Sequence, residues 1–134
     1  MDWLLECSHC GRTDPPDGLP STCPECHKPF LVRYPLRDHP VTERAEVRRR
    51  WGMWRYRTFL PLEPDEQPIT LGEGDTPLLP VPRLAGALDL GAALVKDEGV
   101  NPTGSFKSRG MSAAVTRAVA AGATSFCLPT AGNA

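Results

Sequence analysis

The sequence lacks a long hydrophobic run, a strong excess of charge of either sign and the features of a secretory leader. No apolar stretch among its 134 residues is long enough to span a bilayer. The formal net charge of -1 gives no general attraction to nucleic acid or to acidic membranes. The N-terminus, MDWLLECSHC, has neither the basic start nor the long apolar core of a signal peptide. These absences predict a soluble, cytoplasmic protein.

Proline and glycine, by contrast, are abundant. The chain has 15 prolines and 12 glycines, most of them before residue 105. This skew predicts a loop-rich N-terminal half and a more regular C-terminal half. The length allows a small module joined to part of a larger domain. We therefore divide the sequence into a cysteine-rich module at 1–36, a helical and aromatic linker at 37–67, and a segment at 68–134 with the pattern of an α/β domain.

Four cysteines near the N-terminus are spaced as two metal-binding pairs. Cys7 and Cys10 enclose two residues, as do Cys23 and Cys26, and twelve residues separate the pairs. This spacing predicts a small β zinc ribbon in which the four thiolates hold one tetrahedral Zn²⁺. So short a module needs a bound metal ion because it buries too little apolar surface to fold alone. Two disulfides or unligated thiols are the alternatives, and a cytoplasmic setting disfavours disulfides.

The residues around these cysteines complete the predicted ribbon. Phe30, Val32 and Tyr34 alternate after the second pair and predict a closing strand. His9 and His27 are expected to be spare polar residues, because four cysteines already supply a full ligand set. Such a ribbon binds nucleic acid or protein in some settings and only braces its neighbour in others, and nothing within it chooses between these roles.

The linker is divided by charge. Residues 37–57 hold seven arginines, whereas residues 58–75 hold five carboxylates and no base. Thr42 is the expected N-cap of a helix that Gly52 ends or bends. Arginines interleaved with aromatic rings imitate a surface for single-stranded nucleic acid. We favour instead a linker whose aromatics dock on the next domain, because the acidic tract weakens any field that attracts phosphate. The aromatic residues concerned are Trp51, Trp54, Tyr56 and Phe59.

The rest of the chain has the pattern of one strand–helix–strand unit. Residues 78–81 are apolar but interrupted by prolines, which fits an edge strand or an extended loop. A buried strand is predicted at 92–96 and a second strand at 124–129, with a helix at 106–121 between them. Strands joined in this way form a right-handed crossover in a parallel sheet. The helix face expected to pack on that sheet consists of Met111, Ala114, Val115, Ala118 and Val119.

A polar loop follows each of the two predicted strands. These loops are DEGVNPTGSFK and TAGNA, and in a parallel sheet both face one ligand cleft. Lys107 lies at the opening of the helix, where the helix dipole and unpaired N–H groups disfavour an ammonium. This position favours a neutral amine that forms an imine with a carbonyl cofactor. The alternative is an ordinary solvent-exposed lysine near a helix start.

Three stretches resemble a known family: GEGDTPLLPVPRLA, VKDEGVNPTGSFKSRGM and PTAGNA. They are similar to the N-terminal part of the fold-type II pyridoxal-phosphate enzymes, the tryptophan synthase β family, and within it to the threonine synthase group. Several members of this group carry a cysteine-rich N-terminal ribbon, so the resemblance covers nearly the whole chain. The fold it implies is α/β, a partial parallel-sheet crossover unit preceded by a small β zinc ribbon.

The resemblance also implies an activity and a cofactor. The activity is that of a lyase dependent on pyridoxal 5'-phosphate, which converts O-phospho-L-homoserine and water to L-threonine and phosphate. Lys107 would hold the cofactor as an imine and, once released, move protons as a general base and acid. Asn133 would donate a hydrogen bond to, or accept one from, the ring hydroxyl of the cofactor, and Ser105 and Phe106 would line the pocket beside the lysine. The full-length form would bind a small amino-acid substrate as a homodimer.

Three further residues receive weaker assignments from the resemblance. Thr76 and Pro77 match a stretch near the active-site entrance. Arg109 is expected to be structural, and its alternative role is to position a substrate phosphate. Enzymes of this class are about two to three times longer than this chain. The resemblance therefore implies an N-terminal fragment that does not bind the cofactor tightly or turn over alone.

Two alternatives to this function remain open. One is another β-eliminating or β-replacing enzyme dependent on the same cofactor, similar to threonine dehydratase or cysteate synthase. The other is a zinc-ribbon module that contacts nucleic acid through Arg48, Arg49 and Arg50 or contacts another protein.

Overall fold

The computed structural model of the chain describes residues 3–16, 18, 22–34 and 51–130. The expectations for Thr42, for Arg48 to Arg50 and for Asn133 lie outside these residues. The strands are β1 (Leu4–Cys7), β2 (Thr13–Asp14), β3 (Phe30–Arg33), β4 (Leu78–Pro80) and β5 (Leu94–Lys96). The α-helices are α1 (Pro82–Ala87) and α2 (Lys107–Ala120), and short 3-10 helices span Met53–Phe59, Glu98–Val100 and Pro102–Gly104.

The cysteine-rich part forms an antiparallel sheet in the order β2-β1-β3. Leu5 of β1 lies opposite Asp14 of β2 on one side and Val32 of β3 on the other. Cys7, at the end of β1, pairs with Phe30. The closing strand predicted after the second cysteine pair is confirmed as β3.

A second sheet consists of β4 and β5, which pair antiparallel. Leu78 lies opposite Lys96, and Leu79 lies opposite Val95. The strand predicted at 92–96 is therefore confirmed over its last three residues, but it is exposed and not buried as predicted, and the edge-strand interpretation of 78–81 is confirmed as β4. The side chains of both strands are exposed, and a two-stranded ribbon of this kind is marginally stable on its own.

The prediction of a second strand at 124–129 is wrong for the described residues. This segment is exposed and forms no strand. A strand exists only through its ladder of hydrogen bonds to a neighbour, and the one ladder that β5 makes among the described residues runs to β4. The described part of the chain is thus a mixed α/β structure with antiparallel sheets, without the predicted parallel crossover.

The helix predicted at 106–121 is confirmed as α2. It ends at Ala120 and is followed by Gly122, whose φ of 91° is a left-handed conformation that glycine adopts without strain. The Gly122 N–H donates to the Val119 carbonyl at 2.9 Å, and the Ala123 N–H donates to the Ala118 carbonyl at 2.9 Å. These bonds close the last turn of the helix in the manner of a glycine C-cap.

The face of α2 that is buried differs from the predicted one. Ser108, Ser112 and Thr116, spaced four residues apart, are buried, whereas Ala114 and Val119 of the predicted apolar face are exposed. The reason is that, among the described residues, α2 packs against the non-helical segment that contains Ile69 and not against a sheet. The Ile69 carbonyl accepts a hydrogen bond of 2.7 Å from Ser112 Oγ, and the Ile69 N–H donates to Thr116 Oγ1 at 2.9 Å.

A small apolar core joins the linker to α2. Met53, Trp54 and Leu62 are buried together, with Leu60 and Ala113 packed against them. Trp54 Nε1 also donates a hydrogen bond of 3.0 Å to Ser112 Oγ. The predicted docking of the linker aromatics is confirmed for Trp54. It is wrong for Trp51, whose side chain is 85% exposed.

Within the described residues, no helix combines the length and the apolar character needed to cross a membrane.

Candidate functional site

Lys107 is the first residue of α2 and is half-buried. Its backbone N–H donates to Ser105 Oγ at 3.0 Å, so the Ser105 hydroxyl satisfies one of the N–H groups that a helix start leaves unpaired. The Ser105 carbonyl in turn accepts a hydrogen bond of 3.0 Å from Ser108 Oγ. Phe106, between them, leaves 64% of its surface exposed.

The chain reaches Lys107 through a tight turn. Thr103 and Gly104 both have a left-handed backbone, with φ values of 70° and 69°. The Gly104 N–H donates to the Asn101 carbonyl at 2.9 Å and closes the turn. For Thr103 this conformation is strained, because β-branched residues rarely adopt a positive φ. Such strain persists only where surrounding contacts hold the turn, and Asn101 lies at the centre of those contacts.

Those contacts converge on Glu98, a residue that the sequence interpretation did not single out. Arg109 Nε donates to Glu98 Oε2 at 2.6 Å, and Arg109 Nη2 donates to Glu98 Oε1 at 2.8 Å. Thr76 Oγ1 donates to Glu98 Oε1 at 2.6 Å, and Asn101 Nδ2 donates to Glu98 Oε2 at 2.8 Å. The one signal in the sequence that could have identified Glu98 is its position in the KDEG block.

The hydrogen bonds change the titration of Glu98. Donation from Arg109, then from Thr76, stabilises the ionised carboxylate and lowers the pKa of Glu98 to about 2, against an ordinary value of 4.5. The same pairing raises the pKa of Arg109. Arg109 Nη2 also donates to Thr76 Oγ1 at 3.2 Å, so the Nε and Nη2 groups of this arginine are both bonded within the cluster.

The GEGDT loop is fixed to this cluster by main-chain contacts. The Gly74 N–H donates to Asn101 Oδ1 at 3.0 Å, and Lys96 Nζ donates to the Thr76 carbonyl at 2.7 Å. Gly74, with φ of 110°, lies so close to Gly52 and Met53 that a Cβ at this position would be 2.4 Å from the Met53 nitrogen. A glycine is therefore required where the loop meets the linker.

Glu73, in the same loop, is buried and is held in the ionised form. Burial acts to raise its pKa, but donation from Thr70 Oγ1 and from the Leu71 N–H outweighs burial, so the pKa of Glu73 is lowered. The Glu73 carbonyl accepts a hydrogen bond of 2.6 Å from the Met53 N–H. The loop is thus tied to the linker through its backbone.

The four cysteines converge, as their spacing predicts. Their Sγ atoms all lie within 4.8 Å of one another. Cys7 Sγ is 3.3 Å from Cys26 Sγ, and Cys10 Sγ is 3.7 Å from Cys23 Sγ. Zn–S bonds of about 2.3 Å place the sulfurs of a regular tetrahedron about 3.8 Å apart. The donor set and its spacing therefore fit one zinc ion.

The turns that carry the cysteines have matching geometry. The Gly11 N–H donates to the Cys7 carbonyl at 3.3 Å, and the His27 N–H donates to the Cys23 carbonyl at 2.9 Å. Gly11 and His27, each directly after the second cysteine of its pair, have positive φ values of 74° and 57°. His9 and His27 are exposed and do not belong to the cluster, in agreement with the prediction.

The thiols influence one another's ionisation. Donation from the Cys10 backbone, and then from the His9 backbone, lowers the pKa of Cys7 to about 6. The Arg12 backbone acts in the same direction on Cys10, but the Cys7 thiol, burial and the Cys23 and Cys26 thiols together outweigh it and raise the pKa of Cys10 to about 12. Four thiolates so close together repel one another, and a bound dication removes that repulsion.

The two candidate sites contact opposite ends of α2. Lys107 begins the helix, and the cysteine module reaches the last turns of the helix through Arg117. Ser105, Phe106 and Lys107 are consecutive in the chain and lie together at the start of α2. Asn133, the expected second contact to the cofactor, lies outside the described residues.

Comparison with known proteins assigns a class to the lysine-bearing segment. Residues 69–134 match the family model described as pyridoxal-phosphate dependent enzyme. This part of the chain is thus similar to that family.

The particular relatives are threonine synthases. The chain is 39% identical over 117 residues to the threonine synthase of Methanocaldococcus jannaschii, a match that covers 86% of the chain and 29% of the relative. The Methanosarcina acetivorans threonine synthase is 35% identical over 129 residues, which are 96% of the chain and 31% of that relative. The Mycobacterium leprae threonine synthase is 49% identical over 78 residues, 58% of the chain and 21% of the relative.

The chain thus spans less than a third of the length of these curated relatives. The Methanosarcina match extends into the cysteine module, because it leaves only 4% of the chain uncovered. No solved structure gives a significant match.

Proposed function

We propose that this chain provides the lysine-bearing part of a threonine synthase-type lyase that converts O-phospho-L-homoserine and water to L-threonine and phosphate in the cytoplasm. The observation that carries the proposal is the position of Lys107, which begins α2 directly after a strained turn. The similarity of residues 69–134 to pyridoxal-phosphate dependent enzymes supports the same role.

The residues present fit the cofactor in their chemistry. A primary amine at the start of a helix is the group that condenses with the aldehyde of pyridoxal phosphate. In the proposal, Lys107 holds the cofactor, Ser105 sets the direction of the helix start, and the exposed Phe106 ring forms one wall of the pocket. Asn133 bonds to the ring hydroxyl of the cofactor.

The bound cofactor supplies an electron sink for a substrate carbanion. The chain's own contribution is a mobile base. Once released from the cofactor, Lys107 takes and returns protons at Nζ, which requires the amine to lie within hydrogen-bond reach of the reacting carbon atoms. Because the chain spans less than a third of the relatives' length, we propose that it does not turn over alone.

Reductive trapping tests the role of Lys107. The chain is incubated with pyridoxal phosphate, reduced with borohydride and mapped by peptide mass spectrometry. The chain has three lysines, and Lys28, in the cysteine module, serves as the internal reference. We expect the adduct mainly on Lys107. In Lys107→Ala, the labelling of the other lysines should not increase. Equal labelling of the three lysines contradicts the proposal.

A chimera tests the reaction. Residues 69–134 replace the matching segment of the Methanosarcina acetivorans threonine synthase, and phosphate release from O-phospho-L-homoserine is measured. We expect activity that Lys107→Ala abolishes. A chimera that folds and binds the cofactor but releases no phosphate contradicts the assignment to the threonine synthase type and favours another β-replacing enzyme.

We also propose that the four cysteines hold a structural Zn²⁺ and that the ribbon braces α2. Three groups of the described linker are unavailable to the alternative nucleic-acid surface, although Trp51 is exposed. Trp54 is buried, Arg55 pairs with Asp75, and Arg57 donates to the backbone carbonyls of residues 63, 64 and 66. These groups are engaged inside the protein, whereas a nucleic-acid surface would present them to the ligand.

A further inference from the structure

We propose that Glu98 and Arg109 are positioning residues for Lys107, because their ion pair locks the first turn of α2 against the loop that contains Thr76. This inference rests on the proposed function, in which Lys107 holds the cofactor. The polar cluster around Glu98 would then have a functional role in addition to stabilising the fold.

The carboxylate of Glu98 uses its full capacity for accepting hydrogen bonds. Each of its two oxygens receives one bond from Arg109 and one from a neighbouring side chain, Thr76 for Oε1 and Asn101 for Oε2. A carboxylate has about four acceptor positions, and the planar fork of arginine matches two of them in a single orientation. The cluster therefore has one well-defined geometry.

Three separate segments meet at this carboxylate. Thr76 comes from the GEGDT loop, Asn101 from the turn before the helix, and Arg109 from the first turn of α2. Thr76 and Asn101 are nearly inaccessible to solvent, with 6% and 5% of their surfaces exposed. Hydrogen bonds in such surroundings are stronger and leave less freedom than bonds at the open surface.

The ion pair between Glu98 and Arg109 holds the side of α2 that faces away from Lys107. Arg109 follows Lys107 by two residues, which places their side chains roughly 200° apart around the helix axis. The bond to Glu98 therefore holds the helix turn without occupying the side on which the lysine amine lies. A misplacement of about 1 Å is enough to cost on the order of 100-fold in a reaction that depends on geometry.

The chain offers a matched control on the same helix. Arg117 also belongs to α2, also pairs with a glutamate, Glu66 at 2.5 Å, and is similarly buried. The side-chain exposures are 19% for Arg117 and 29% for Arg109. A purely structural role predicts that loss of either arginine weakens the fold in the same way, whereas positioning predicts an effect on Lys107 from Arg109 alone.

The experiment measures borohydride-trapped pyridoxal phosphate on Lys107 relative to Lys28 in the 134-residue chain. Lys96 is unsuitable as the reference because it contacts Thr76. We expect Arg109→Ala to lower the ratio about 5- to 10-fold and Arg117→Ala to leave it within about twofold. Arg109→Lys keeps the charge but loses the two-pronged geometry, so we expect an intermediate ratio.

The outcomes separate this inference from the proposed function. If the wild-type chain labels Lys28 and Lys107 equally, the proposed function fails and the inference fails with it. If the wild-type chain prefers Lys107 and Arg109→Ala keeps that preference, only the positioning role is overturned.

Glu98→Gln decides the question if Arg109→Ala does not fold. Glutamine keeps the size and one acceptor oxygen but removes the charge that orders the arginine. A folded Glu98→Gln chain whose ratio falls more than twofold supports the positioning role, and an unchanged ratio overturns it. Circular dichroism and thermal unfolding establish that each compared variant is folded.

Discussion

The guanidinium carbon of Arg117 lies 4.9 Å from the centroid of the Trp3 indole ring, and this contact joins the cysteine module to α2. Arg117 also donates to the Pro16 carbonyl at 3.3 Å and pairs with Glu66 at 2.5 Å. One side chain thus connects the cysteine module, the acidic part of the linker and the helix that begins with Lys107.

Removal of this guanidinium is expected to loosen the docking of the module. Arg117→Ala should lower the free energy of unfolding by about 1–2 kcal/mol, the combined scale of a partly desolvated cation–π contact and an ion pair. Chemical denaturation followed by tryptophan fluorescence measures the change. Arg83→Ala on α1, an exposed arginine, is the control and should stay within about 0.5 kcal/mol. Equal effects of both substitutions would show that the Trp3 contact does not contribute.

Metal binding is expected to require the four clustered thiols. We expect one zinc per chain by metal analysis, and Cys23→Ser, at a position with 0% exposure, should lose it. Cys127→Ser changes an exposed cysteine outside the cluster and should keep the metal. A chelator should also remove the hydrogen-exchange protection of the β1 amides, because metal binding is coupled to folding of such a module. Full protection in a metal-free protein would rule out a structural zinc.

Stability is expected to fall in acid through Glu98. Its pKa in the folded chain is about 2, below the ordinary value of 4.5, so the stability it contributes is present above about pH 4.5 and is lost as the pH falls toward 2. Urea unfolding between pH 6 and pH 2.5 measures this loss. Glu98→Gln should be less stable at pH 6 and should show a shallower pH dependence. Some dependence of the free energy of unfolding on pH should remain in this variant, because the pKa of Glu73 is also lowered. An unchanged slope in Glu98→Gln would mean that the ion pair does not stabilise the fold.

The contact between the GEGDT loop and the linker is expected to tolerate no side chain. Gly74→Ala would place a Cβ 2.4 Å from the Met53 nitrogen and 2.7 Å from the Gly52 carbonyl carbon, at a φ of 110°. We expect a loss of at least about 2 kcal/mol in the free energy of unfolding. Gly86→Ala is the matched control. It lies inside α1 with no atom within 4 Å of the added Cβ, and it should be neutral or stabilise by up to about 1 kcal/mol. A mild effect of Gly74→Ala would show that loop and linker separate easily.

Local patterns in the sequence were sufficient for several elements. Two short cysteine pairs predicted a cluster of thiols, because a knuckle is built from adjacent residues and its geometry follows from its spacing. The helix at 107–120 and its end at Gly122 were likewise predicted, since helix formation depends on residues three and four positions apart. The motif around Lys107 likewise indicated a family from the sequence alone.

The remaining features depend on residues that are far apart in sequence. Apolar periodicity placed Met111 and Val115 on the packed face of α2, but the buried face is Ser108, Ser112 and Thr116. The backbone N–H and carbonyl of Ile69 need hydrogen-bonding partners, and hydrophobic periodicity does not indicate which residues supply them. For the same reason the strand expected at 124–129 was wrong, because strand pairing requires a neighbour that a local pattern does not specify.

The sequence by itself determined the chemistry of this protein: four thiols at metal-binding spacing and a lysine at the start of a helix. Only the tertiary structure decided how those groups are held. Glu98 collects hydrogen bonds from Thr76, Asn101 and Arg109, which lie up to 33 positions apart in the chain. A carboxylate with this many partners is stable only when folding brings them together, so its role is visible in the folded chain and not in the order of the residues.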